Sequence, residues 1–101
     1  MKLRLEEVIK DMDEKPVQGP DKKDMTLKDV CIASLMSSME TDKNMTGDKK
    51  VSLFSLAMSL KTNPDYDTTV EEVALIKDRI GKMYTQLVVG RAFELIEGTD
   101  G

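Results

Sequence analysis

The chain predicts a mostly α-helical domain of three to four helices over residues 26–98, behind a polar N-terminal arm over residues 1–25. Three observations carry this expectation. Apolar residues recur at three-and-four spacing through most of residues 27–96. Polar stretches, "ETDKNMTGD" and "NPDYD", fall between the periodic segments and punctuate them. Thr-x-x-Asp and Thr-x-x-Glu pairs stand directly before two of those segments, as capped helix starts require. At 101 residues the chain is expected to form one domain around a small core.

The arm is the least regular part. Leu5, Val8, Ile9 and Met12 fit one face of a helix, but "DMDEKPVQGPD" holds two prolines and a glycine. Pro16 pushes Lys15 toward extended backbone. A short strand, a turn around Asp13-Glu14 and a second short strand near Val17 suit that chemistry better, so a ragged hairpin is expected. No internal repeat stands out in the sequence.

The first helix reads from "TLKDVCIASLMSSM", with Thr26 as cap and Asp29 closing a capping box. Leu27, Val30, Cys31, Leu35 and Met39 share a face, widened by Ile32 and Met36. The second, "DKKVSLFSLAMSLKT", carries a stripe of Val51, Phe54, Ala57 and Met58, widened by Leu53, Leu56 and Leu60. Asn63-Pro64 stops it. The third opens with two overlapping boxes, Thr68 to Glu71 and Thr69 to Glu72, and continues through Val73, Ile76, Ile80 and Met83. Gly81 costs only about 1 kcal/mol within a helix and need not break it. After Tyr84 the apolar face shifts to Val88, Val89, Ala92, Phe93 and Ile96. A tight joint near Thr85 and a fourth helix ending at Gly98 are therefore expected.

Composition excludes several function classes. Arg4, Glu6 and Glu7 interrupt what a signal peptide would need as an apolar run. No stretch approaches the ~20 apolar residues of a membrane span, so a soluble intracellular protein without a membrane role is expected. Cys31 is the only cysteine, set among small apolar neighbours, and reads as a buried hydrophobe. The net charge of −4 falls mostly on residues 51–101, which contribute −3 of it. That balance opposes phosphate binding by the C-terminal helices.

Candidate chemistry is sparse. With no histidine, the commonest general base and metal ligand is missing. "NPDYDTTVEE" places Asn63, Asp65, Asp67 and Glu71 at alternating positions, as a calcium loop would. Thr68 stands where that loop needs glycine and Ala74 where it needs a bidentate glutamate. Gly47-Asp48-Lys49-Lys50 lacks Walker spacing. No metal, cofactor or enzymatic activity is expected. A helix-turn-helix built on "DRIGKMYTQLVVGRAFELIEG" fails on spacing, because the small-residue position before Gly81 falls on Lys77. Its would-be reading helix has Arg91 as sole base.

The apolar surplus points instead to contact with protein. Leu87, Val88, Phe93 and Ile96 are the first interface candidates, because the last helix is apolar around most of its circumference. Met36 and Met39 are the second, since flexible thioethers suit adaptable surfaces. Two rival readings remain. In one, Lys22, Lys23, Lys28, Lys49 and Lys50 form a nucleic-acid patch. In the other, Asp65, Asp67, Glu71 and Glu72 occupy the basic site of a host nucleic-acid-handling protein as an acidic inhibitor.

At "MTLKDVCIASLM" and "TVEEVALIKDRIGKMYTQLVVGRAFELIEG", over roughly residues 25–98, the chain resembles small acidic proteins encoded in tailed-bacteriophage genomes. The likeness includes no catalytic signature and carries over no functional residues. It implies a phage protein of the bacterial host cytoplasm or the assembled virion, and it favours a hairpin in the arm. A self-associating interaction or assembly module, bound to itself or to a phage or host protein, is the function expected.

Overall fold

The computed structural model describes residues 1–98, and in that span four helices follow the arm. They are α1 (Leu27–Met36), α2 (Gly47–Thr62), α3 (Val70–Met83) and α4 (Gln86–Glu97), with a short 3-10 turn over Glu40–Asp42 between the first two. The radius of gyration is 13.2 Å, that of a compact domain of this length. No helix among the described residues is long and apolar enough to cross a membrane.

α1 is the central element and touches each of the other three helices. Its sequence explains the position. Residues 30–39 carry no charge, and Leu27, Val30, Cys31, Ser34 and Leu35 are all buried. The expected capping box forms at its start: Thr26 Oγ1 accepts from the Asp29 N–H, and the Asp29 carboxylate accepts from the Thr26 N–H. At α3 the second of the two expected boxes is the one used, with Thr69 and Glu72 capping each other. Thr68 does other work. It is buried, and its N–H and hydroxyl both donate to the Met1 carbonyl, at 2.8 and 2.6 Å. The Met1 ammonium in turn reaches the Thr68 carbonyl and the Asp67 carboxylate, and that hydrogen bond holds the Asp67 carboxyl below its ordinary pKa.

The joint between α3 and α4 falls at Tyr84-Thr85, with Gly81 inside an unbroken helix. α4 ends at Gly98 as its sequence suggests. α2 is rotated from its expected orientation. Leu53, Leu56, Ala57 and Leu60 are buried, whereas Val51, Phe54 and Met58 face solvent. Both stripes are apolar, and the leucine stripe is the one that packs against α1.

The arm is a hairpin and more. Asp11–Glu14 turns the chain so that Lys10 bridges Pro16. Gly19–Lys22 repeats the same turn eight residues later, so that Gln18 bridges Asp24. The third bridge, Val8 to Thr26, closes the figure. Ile9 N–H donates to the Met25 carbonyl, Met25 to Val17, and Val17 to Ile9, at 2.7, 2.7 and 2.8 Å. The arm is thus a pseudo-threefold ring with an eight-residue period, a repeat the sequence reading misses. Its signal is faint but present: Ile9, Asp13 and Lys15 recur as Val17, Asp21 and Lys23. Glu14 and Lys22, at φ 62° and 64°, occupy the same left-handed turn position. The Lys15 and Asp13 N–H groups hold the Asp11 carboxyl below its usual range.

The ring is not a loose appendage. Leu3, Leu5 and Ile9 are buried in the same core as Leu27, Val30, Leu60, Ile80 and Ile96. Ile9→Ala is therefore expected to cost about 2–4 kcal/mol in urea unfolding, the range of a large-to-small core change. A cost near zero would mean that the arm sits outside the cooperative unit.

Candidate interaction surface

α3 contributes one residue that its apolar stripe should have excluded. Arg79 lies on the face of Ile76, Ile80 and Met83, and is only 4% exposed. Its guanidinium is fully engaged at the end of α1. Nε donates to the Ser34 carbonyl at 2.7 Å, and Nη2 donates to the Ser37 carbonyl at 2.7 Å. Nη1 and Nη2 also meet the two carboxylate oxygens of Asp42 at 3.0 and 3.1 Å. Such a fork supplies to α1 the donors that carbonyls at a helix C-terminus lack. It also anchors the 3-10 turn, because the Asp42 carboxylate accepts from the Met39 N–H at 2.9 Å. Arg79 first, and then that N–H, hold the Asp42 carboxyl below its ordinary pKa.

With the end of α1 and the turn fixed, a groove of about 500 Å³ opens between them and the first half of α2. Its apolar lining is Leu35, Met36, Met39, Met45, Leu53 and Phe54, with Lys43 and Lys50 also on its walls. The groove continues onto the outer face of α2. There Val51 is 62% exposed, Phe54 50% and Met58 41%. Residues 51–60 contain no charged side chain, in a chain that is 34% charged. A solvent-facing helical surface with three large apolar groups and no charge matches the composition of an interface centre.

The first interface candidates divide. Val88 and Ile96 are buried in the chain's own core and are not available to a partner. They face inward because α4 lies with them and Ala92 toward the core. Leu87 and Phe93 are half-buried, and the Phe93 ring has the Lys77 ammonium 4.8 Å from its centroid. Lys77 is itself paired with Glu97 at 2.8 Å. Met36 and Met39, the second candidates, are brought together on the groove. Val51, Phe54 and Met58, expected at the centre of the apolar stripe of the second helix, lie outside the core, and the role of Arg79 was not expected. The one signal for Arg79 was a basic residue in phase with an apolar stripe.

Part of each rival site is committed elsewhere. Arg91 pairs with Glu14 at 3.0 Å and donates to the Asp11 carbonyl, fastening the arm to α4. Of the acidic set, Asp67 holds the Met1 ammonium, and Glu72 takes the Thr69 N–H and the Tyr66 hydroxyl. Among the lysines, Lys28 lies 3.6 Å from Glu6, Lys22 and Lys23 belong to the second arm turn, and Lys49 and Lys50 start α2. Comparison with protein-family models, with curated proteins and with solved structures finds no match.

Losing the two charge-assisted bonds to α1 carbonyls in Arg79→Ala is expected to cost about 3 kcal/mol or more in urea unfolding. Arg79→Lys should recover little of it, because one ammonium cannot reproduce the planar fork. Full rescue by lysine would show that charge alone matters. The pH dependence follows from the depressed Asp42 pKa. Its contribution is complete above the ordinary value of 3.8 and is lost as the pH falls through the folded value. The stability difference between the native chain and Asp42→Asn is thus expected to hold from neutrality to about pH 4 and to close below it. A gap unchanged down to pH 2 would contradict the assignment.

Proposed function

We propose that this chain is a non-enzymatic protein–protein interaction or assembly module of bacteriophage origin, working through the outer face of α2 and the methionine-lined groove beside it. It acts in the bacterial host cytoplasm or the assembled virion, on itself or on a phage or host protein. One observation carries the reading. The outer side chains of residues 51–60, Val51, Phe54 and Met58, stand in solvent on a helix whose other face already fills the core. Water contact with that much apolar surface is unfavourable by about 25 cal/mol per Å². A partner that covers it recovers that free energy.

The methionines suit the same role. Met36, Met39 and Met45 on the groove are unbranched and polarizable, and they remould to an incoming surface at little cost. Phe54 joins the groove to the ridge and is the expected anchor, as aromatic residues are at interface centres.

The test is capture from nuclease-treated bacterial lysate supplemented with untagged chain, using the tagged chain and tagged Phe54→Asp, both checked by circular dichroism. The native chain is expected to retain one protein in stoichiometric amount, its own copies included. Phe54→Asp, with an unchanged spectrum, is expected to lose it. Equal retention by both, or retention of nothing by the native chain, would overturn the reading.

A further inference from the structure

We infer that the occupant of the α2 face is a second copy of this chain, docked as an antiparallel α2 pair about a twofold axis between residues 52 and 53. This inference rests on the interaction reading above and names its partner. Gly47, Val51, Phe54 and Met58 follow four-three-four spacing, the seam of a helix pair. Each is exposed to solvent. Read in the reverse direction, the series is its own complement in size. An axis at that point sets Val51 against Phe54 of the second copy and Gly47 against its Met58, and the same contacts recur with the copies exchanged. A symmetric contact requires this kind of self-complementarity.

Charge does not oppose this partner at the seam. Each copy carries a net charge of −4, so two copies repel over most of their surfaces. The seam crosses residues 51–60, a stretch in which an exposed helical face holds no charge. Gly47 adds a physical opening. A side chain built there would meet no atom of its own chain within 4 Å, which leaves room for the long thioether of Met58 from the second copy.

The geometry also accounts for Met36. It is exposed and lines the groove with Lys50 and Phe54, which bracket the axis along α2. A twofold axis perpendicular to both helices keeps the two grooves on the same side of the pair. Met36 of each copy then lies on the same side of the pair, beside the seam.

Crosslinking tests this register in the full chain. Gly47→Cys has open space around it, Met58→Cys is partly exposed, and the native Cys31 is buried and does not compete. In the proposed register two copies of residue 47, or two of residue 58, lie 11 positions apart along the pair, about 16 Å at 1.5 Å per residue. Each variant alone is expected to give little disulfide dimer under mild oxidation. An equimolar mixture is expected to give at least fivefold more, all of it mixed.

Self-crosslinking of either variant as strong as the mixture would mean parallel or random pairing and would overturn the register. Sedimentation equilibrium on the unmodified chain separates the remaining cases. A dimer that gives no mixed crosslink overturns the register and leaves the interaction reading standing. A monomer at all concentrations overturns the second copy as occupant, and the capture experiment then decides the interaction reading by itself. Val51→Lys, at a well-exposed position, is expected to weaken dimerisation at least tenfold with the fold intact. An undiminished dimer in that variant would contradict the seam.

Discussion

The contact of the Arg79 guanidinium with the end of α1 is the constraint on which the rest of the architecture depends. A buried cation is costly unless its donors are met, and here two carbonyls and a bidentate carboxylate meet them. The arrangement joins three separate parts of the chain: α3, the C-terminus of α1 and the turn that leads to α2. It fixes where α1 stops, at Met36, and where the following loop turns. The entry angle of α2 and the wall of the groove follow from those two positions.

Once α2 is placed, its own composition produces the surface. The helix is apolar on both sides, and a small core accepts only one of them. The leucine stripe packs on α1, and the Val51, Phe54 and Met58 stripe is left in water. The resulting surface is uncharged, flanked by lysines at positions 50 and 61, and continuous with a methionine-lined groove. The proposed function starts from this step, because an exposed apolar stripe is a liability for a chain that acts alone and an asset for one that pairs. The N-terminal arm belongs to the supporting structure. Its Leu3, Leu5 and Ile9 complete the core, and Arg91 ties its first turn to α4.

Where the sequence spoke through local chemistry, it was legible. The Thr26–Asp29 and Thr69–Glu72 boxes mark helix starts because the bonds they make are local and nearly independent of tertiary context. The break at Thr85 showed as a change of apolar phase, and Gly98 as a helix end. The choice between the two faces of α2 was not legible, because periodicity gives the stripes and only packing selects between them. The inward packing of Val88 and Ile96 was hidden for a related reason: a helix apolar nearly all round does not reveal which side meets its own core. Arg79 was hidden because its partners, Ser34, Ser37 and Asp42, lie 37 to 45 residues away in sequence. The ring escaped notice because its period is carried by backbone hydrogen bonds and two left-handed turn residues, with few side chains repeating.

As proposed, the outer face of α2 is where the chain meets a second copy of itself. Methyl-selective NMR across a dilution series measures this directly, residue by residue. The methyl signals of Val51, Met58 and Met36 are expected to shift together with concentration, while those of Val88 and Ile96 stay fixed. Shifts centred on Leu87 and Leu95 of α4 would contradict the account, as would a spectrum that does not change with concentration.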